Sequence, residues 1–169
     1  MRVFGAAILI LALTSIGISK ALEFRKRLTV MQDLILMLDS AKSELCTSRM
    51  PMNRIIKRIE QNSRGDVKRF AEKLLLSMDR LGEAAFSSLW NETVTEVFAS
   101  LPSDCISELT NLGTSLGRYN VDMQIEAIDR CKQVLVKNID ELRPQNGKIQ
   151  KMYIGLYGGA GLIVAIMLI

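Results

Sequence analysis

The sequence predicts an all-α membrane protein, in which a central bundle of about six helices is flanked by N-terminal and C-terminal transmembrane helices. Two observations lead to this prediction. The longest runs without an Asp, Glu, Lys, Arg or His side chain lie at residues 3–19 and 152–169. Between them, apolar residues recur at the three- and four-residue spacing of helices, and no segment keeps the two-residue alternation of a strand.

The two uncharged runs are long enough to cross a bilayer as helices. They correspond to about 25 and 27 Å of helix, close to the ~30 Å hydrocarbon core. The first run could instead be a cleaved secretory signal peptide. However, the run is longer than the usual apolar region of a signal peptide, and no clear cleavage site follows it. The second could be a buried core helix, but it has four glycines and no polar face. We therefore expect transmembrane helices at 1–19 and 152–169 and a helical bundle domain at 20–151.

Basic residues near the inner ends of the two runs predict the orientation. They are Lys20, Arg25, Lys26, Arg27, Lys137, Arg143, Lys148 and Lys151. Only Arg2 and the amino terminus lie on the other side. Because positively charged flanks stay in the cytoplasm, the bundle is expected there, with both ends of the chain across the membrane. The first predicted partner is therefore the lipid membrane.

Breaks in the apolar pattern divide the bundle. The first bundle helix reads as a direct continuation of the first span, and Pro51 follows its end. A short second helix ends before Gly65, and Asp66 is the expected N-cap of the third. Gly82 is expected to end the third helix with a positive φ. The later apolar stripes predict a fourth helix around Trp90, a fifth around Leu109 and a last helix around Ile128.

The residue inventory argues against an enzyme and against nucleic-acid binding. The chain has no histidine, and Cys46, Cys105 and Cys131 are too far apart in sequence for a CxxC pair. No phosphate-binding GxxxxGK[ST] loop occurs, so no catalytic, cofactor or metal site is predicted. Residues 20–151 carry 21 basic against 18 acidic residues, a balance too mild for a nucleic-acid surface.

Two groups of glycines remain. Gly155, Gly158, Gly159 and Gly161 would let another helix, the first span or a second chain, approach closely. The alternative is that glycine is simply common in membrane helices.

The second group is the double Leu-Gly of the segment LGTSLGRYNVDMQ at residues 112–124. It predicts a tight corner between two helices, in which Gly113 allows close packing and Gly117 supplies a positive φ. The corner is either purely structural or also a partner contact.

These residues together resemble the stage III sporulation protein AB family, over essentially the whole length. The resemblance lies in the first span with Gly5 and Gly17, the basic exit, the Met50-Pro51-Met52 turn, Ala85 and Trp90, the corner with Gln124, and the Lys151-Met152-Tyr153 entry into a glycine-rich last span. One departure is Asn120, where the family commonly has Asp. Another is the thin acidic stretch at Asp140 and Glu141.

The resemblance implies a fold similar to the inner-membrane platform protein F of type II secretion and type IV pilus machines. It implies a non-enzymatic adaptor in the mother-cell membrane facing the forespore. Its partners would be a secretion-type ATPase and other membrane subunits of one channel-like assembly, and self-association into a homo-oligomer is left open. The family-motif corner expected to matter comprises Leu112, Gly113, Leu116, Gly117, Asn120 and Gln124. The alternatives are a platform subunit of an ordinary type II secretion or pilus system and, from another class, a membrane-bound enzyme.

Overall fold

The fold is all-α, as the sequence predicts. A computed structural model describes residues 2–48, 51–80, 82, 84–116 and 120–142, and within the first helix it describes the side chains of residues 19 and 22–47. Every regular element in these ranges is helical, and none of them contains a β-strand. The α-helices are α1 (Arg2–Ser48), α2 (Met52–Asn62), α3 (Gly65–Ser77), α4 (Phe86–Val97), α5 (Ser103–Ser115) and α6, described over residues 121–142.

α1 is a single helix of 47 residues. The prediction that the first bundle helix continues the backbone of residues 3–19 is therefore confirmed. The side chains of residues 3–18 lie outside the described residues, and so does the whole of 152–169 with Gly155, Gly158, Gly159 and Gly161. Searched over the described residues, no helix is both long enough and apolar enough to count as a membrane span.

The chain divides into two compact units. One is Thr29–Ile139, and the other combines Met1–Leu28 with Asp140–Ile169. Of the second unit, the structure describes helical backbone over residues 2–28 and 140–142. The packed bundle discussed below lies in Thr29–Ile139.

Three of the helices begin at or directly after a proline or a glycine, and not at an acidic N-cap residue. Pro51 and Pro102 are the N-cap residues of α2 and α5. The predicted N-cap role of Asp66 is wrong, because the chain enters α3 at Gly65, whose φ is +56°, and Arg64 is the cap residue. Asp66 lies in the first turn instead, where a carboxylate still interacts favourably with the helix dipole.

Gly82 has the positive φ that the sequence predicts, +116°. It does not follow α3 directly, since a 3-10 turn, Met78–Arg80, comes between them. The third helix therefore ends earlier than the apolar stripe indicates, at Ser77.

The core is built from consecutive helix contacts. α2 packs on α3, α3 on α4 and α4 on α5. The core contains an aromatic cluster: the Phe70 ring meets the Trp90 ring edge-on at 4.9 Å between centroids, and the Phe98 ring is tilted by 38° against Phe70 at 5.2 Å. Edge-to-face and tilted pairs of this kind are the favoured aromatic geometries.

One small apolar cavity of about 20 Å³ lies within the bundle. Its lining comes from the inward faces of α1, α2, α4, α5 and α6, with Leu38, Ile56, Trp90, Leu112 and Ile128 among the contributors. Because no polar group lines it, a water molecule there would find no hydrogen-bond partner. The cavity therefore marks where the five helices converge.

Candidate partner-binding corner between α5 and α6

The two leucines of the corner are core residues. Leu112 and Leu116 are 2% and 7% exposed, and both line the apolar cavity. Their four-residue spacing places them on one side of α5, where Leu109 is also fully buried. The Leu-x-x-x-Leu half of the motif is therefore explained by packing.

Gly113 permits a close contact between α5 and α4 in the corner. A β-carbon added there would come within 2.1 Å of Trp90 Cδ1 and 2.5 Å of Trp90 Cγ, far inside van der Waals distance. The Trp90 indole N–H donates a hydrogen bond of 2.7 Å to the carbonyl of Leu109, one helical turn earlier on α5. The prediction that Gly113 allows close packing is confirmed, and its partner is the buried indole of α4.

Sequence reasoning missed this pairing between Gly113 and Trp90. A buried tryptophan needs an acceptor for its indole N–H, and a glycine in a neighbouring helix lets a ring lie on the backbone. One turn of α5 provides both the acceptor, the Leu109 carbonyl, and the glycine, Gly113. Nothing in the sequence indicates that α5 is the helix that packs on Trp90.

The end of α5 is formed by Leu116. This residue is the C-cap, with φ −65° and ψ 128°, and its N–H donates to the carbonyl of Leu112 at 3.0 Å. Gly117 lies outside the described residues, and so does the prediction of its positive φ.

Asn120 is the N-cap of α6, a role that sequence reasoning also missed. Its side-chain oxygen accepts a hydrogen bond of 3.0 Å from the Met123 N–H, and its carbonyl accepts one of 3.2 Å from the Gln124 N–H. Asn and Asp cap helices about equally well. The departure from the family's aspartate therefore keeps the local function of the position.

Gln124 is a buried polar residue, 8% exposed. With Leu112, Gly113 and Leu116 also buried, Asn120 is the exposed member of the motif among its described residues. The described geometry gives the corner a packing and capping role. A partner contact at these six residues stays a prediction.

A ladder of two ion pairs joins α1 to α6. The Lys132 ammonium lies 2.7 and 3.0 Å from the carboxylate oxygens of Asp39, and the Lys42 ammonium lies 2.7 and 2.8 Å from those of Asp129. The hydrogen bond to Asp129 raises the pKa of Lys42 above its usual value. Each helix carries one acidic and one basic residue of the ladder, about one turn apart, and each acid pairs with the base of the other helix. Sliding one helix by a turn would therefore place two like charges next to each other.

A second polar link joins α5 to α6. The buried Asn138 amide donates to the Asp104 carboxylate at 2.7 Å and to the carbonyl of Val134 at 3.0 Å. The Asn138 hydrogen bond, followed by those of nearby backbone N–H groups, lowers the pKa of Asp104. This carboxylate is held in its charged form as a structural acceptor.

Two of the three cysteines lie in the core. Cys105 and Cys131 are buried, and burial raises the pKa of each thiol to about 12, so both stay protonated near neutral pH. Cys46 is exposed. Over the residues described, no group of three His, Cys, Asp or Glu side chains is arranged to hold a metal ion.

Comparison with known proteins gives one family. The family model described as stage III sporulation protein AB matches residues 2–169. No curated protein matches the chain, and no solved structure does.

Proposed function

Because this chain belongs to the stage III sporulation protein AB family and hence acts in sporulation, we propose that it is a non-enzymatic platform subunit of a secretion-like channel complex between mother cell and forespore. In this role it docks a secretion-type ATPase and other membrane subunits at the mother-cell membrane. The observation that carries the proposal is the family match from residue 2 to residue 169, which covers both uncharged runs and the whole bundle.

The placement in the membrane is part of the proposal. Residues 3–19 and 152–169 contain no charged side chain, and basic residues flank both runs on the bundle side. α1 carries the first run and the first bundle helix in one uninterrupted backbone.

The bundle has the properties of an adaptor. Its core is filled with aliphatic and aromatic side chains, and the apolar cavity among them is small, about 20 Å³. The ion pairs Asp39–Lys132 and Lys42–Asp129 favour the observed register of α1 against α6. Such a bundle is suited to present a fixed polar surface to a partner and not to close around a substrate.

The proposal is tested by recovering the assembly from sporulating cells. The tagged full-length chain is purified in a mild non-ionic detergent, and the bound proteins are identified by mass spectrometry. We expect a secretion-type ATPase together with further membrane proteins of the same assembly. Untagged sporulating cells are the control for non-specific capture.

The reproducible absence of the ATPase from this material would overturn the docking proposal. Turnover of a substrate by the purified chain alone would overturn its non-enzymatic part. Extraction of the chain from membranes by alkaline carbonate, without detergent, would overturn the transmembrane placement.

A further inference from the structure

The helix α2 carries its basic residues on the side opposite its buried side. Its buried side lines the apolar cavity and consists of Ile55, Ile56 and Ile59. At about 3.6 residues per turn, Arg54, Lys57 and Arg58 fall on the other side of the helix. All three are exposed. We call these three residues the α2 basic face.

Most of the charge of the α2 basic face is not neutralised within the described bundle. Arg58 forms an ion pair with Glu44 of α1 at 2.6 Å. Arg54 and Lys57 form no ion pair with any described residue. The acidic residue of α2, Glu60, is half-buried and forms its ion pair with α3 instead. The outward side of α2 therefore keeps a positive charge.

This positive charge continues at the end of α2 and stops there. Residues 51–64 carry four basic side chains and one acidic side chain. Arg64, the N-cap residue of α3, is exposed and forms no ion pair with the residues described. The basic residues that follow, Lys68, Arg69, Lys73 and Arg80, each form an ion pair with a carboxylate. The uncompensated charge of this segment thus lies on α2 and at its end.

We propose that the α2 basic face is the surface on which the secretion-type ATPase docks, and that it contacts a carboxylate-rich surface of that protein. This inference rests on the proposed function. Guanidinium and ammonium groups form charge-assisted hydrogen bonds with carboxylates, and arginine can donate two parallel hydrogen bonds to one carboxylate. Because the apolar side chains of α2 are used in the core, its outward side can bind a partner through charge.

Other anionic partners fit α2 less well. A helix that lies on a lipid surface inserts its apolar side chains among the lipids, but the isoleucines of α2 are buried in the bundle. Basic clusters that bind anionic lipids lie directly beside a membrane span, whereas the whole remainder of α1 separates α2 from the first uncharged run. Single-stranded nucleic acid stacks on aromatic side chains, and α2 contains none. The observations therefore favour an acidic protein surface.

The contact is expected to be sensitive to salt. Complementary charges mainly raise the rate of association and select the partner. The Debye length falls from ~10 Å at about 0.1 M salt to ~3 Å at about 1 M, so recovery of the ATPase should fall over this range.

The test repeats the recovery of the assembly from sporulating cells with the tagged full-length chain and two variants. The face variant is Arg54→Glu with Lys57→Glu. The third residue of the face is left unchanged because its ion pair belongs to the bundle. The matched control, Arg80→Glu with Arg130→Glu, reverses two cations whose side chains are 58% and 55% exposed and changes the net charge equally. Circular dichroism and thermal unfolding in detergent check that both variants keep the fold.

We expect the control to recover as much ATPase as the wild type. The face variant should recover at least about tenfold less ATPase and the same amount of the other membrane subunits. An undiminished recovery of ATPase by the face variant, which a lipid-binding face would predict, would overturn the inference and leave the proposed function standing. An equal loss in the control, or a loss from the wild type on nuclease treatment, would also overturn it. Absence of the ATPase from untreated wild type would overturn the proposed function itself.

A zero-length carbodiimide cross-link tests the contact directly, because it joins an amine to a carboxylate only where the two groups touch. In the wild-type assembly, mass spectrometry should find the Lys57 amine joined to an aspartate or glutamate of the ATPase. Lys57→Arg keeps the charge but has no amine, so it should lose this product and still recover the ATPase. A Lys57 that is joined only to other subunits, or to none, would overturn the inference.

Discussion

The indole ring of Trp90 lies directly on Gly113, so close that a β-carbon at that position would come 2.1 Å from Trp90 Cδ1. The same ring donates its N–H to the carbonyl of Leu109. The close approach of α4 to α5 at this point therefore depends on the absence of a side chain at residue 113. Any side chain at residue 113 must push the two helices apart or turn the ring.

We expect Gly113→Ala to destabilise the protein by about 1–3 kcal/mol, because overpacking a filled core has that cost. Chemical unfolding of the detergent-solubilised chain measures the change. Ser107→Ala, at an exposed position on the same helix, is the control and should have an effect within about 0.5 kcal/mol.

The clash is tested by coupling. In a Trp90→Leu background, whose smaller side chain can move aside, Gly113→Ala should cost at least about 1 kcal/mol less than in the wild type. Equal costs in both backgrounds would show that the glycine is not required by the ring.

Asn120 provides a second test of the corner. Its side chain caps α6 through the Met123 N–H. Asn120→Ala should lower the free energy of unfolding by about 1 kcal/mol, whereas Asn120→Asp should leave it nearly unchanged. A loss of stability in Asn120→Asp as large as that in Asn120→Ala would contradict the capping role, since both residues accept the same hydrogen bond.

Gln124→Ala separates structure from binding at the corner. Because Gln124 is buried, we expect the variant to lose some stability but to recover the same ATPase from sporulating cells as the wild type when both are compared below their unfolding transitions. If a folded Gln124→Ala chain no longer recovers the ATPase, the corner is a partner contact after all.

Asp104 predicts a pH-dependent contribution to stability. Its pKa is lowered in the folded state by the Asn138 hydrogen bond, so the stabilisation is present above the unfolded pKa of about 3.9 and is lost as pH falls through the folded value. Asn138→Leu removes that hydrogen bond at similar volume. The difference in unfolding free energy between wild type and variant should therefore be larger at pH 7 than near pH 3. NMR titration of the Asp104 carboxyl should show its pKa rising in the variant, and an unchanged pKa would argue against Asn138 as the cause.

The three cysteines report both burial and membrane orientation. With pKa values of about 12, Cys105 and Cys131 have a thiolate fraction of roughly 10⁻⁴ at pH 8, and burial blocks reagent as well. A maleimide should therefore modify Cys46 alone in the folded chain and all three thiols after denaturation.

The same reagent tests the proposed orientation. A membrane-impermeant maleimide should reach Cys46 only after the cells are permeabilised, and Cys46→Ser is the control that should remove the signal. Labelling of Cys46 in intact cells would place the bundle on the other side of the membrane.

The helix starts show how far local patterns reach. The break at Pro51 and the positive φ of Gly82 could be predicted because proline and glycine restrict or free the backbone of their own residue. The prediction of Asp66 as a cap is wrong because the cap lies where the chain turns into the helix, and the neighbouring Gly65 already makes that turn.

By itself, the sequence determined the helical class, the breaks between helices and the tight packing at Gly113, since each depends on the chemistry of residues close together in the chain. Only the tertiary structure decided that Trp90 packs against Gly113 and that Asn138 donates a hydrogen bond to Asp104. It also decided the ion pairs between α1 and α6, Asp39 with Lys132 and Lys42 with Asp129. These partners are 23 to 93 residues apart. Their pairing depends on how the helices pack against each other. Other polar and apolar residues of the same types in the chain would satisfy the sequence pattern equally well as partners.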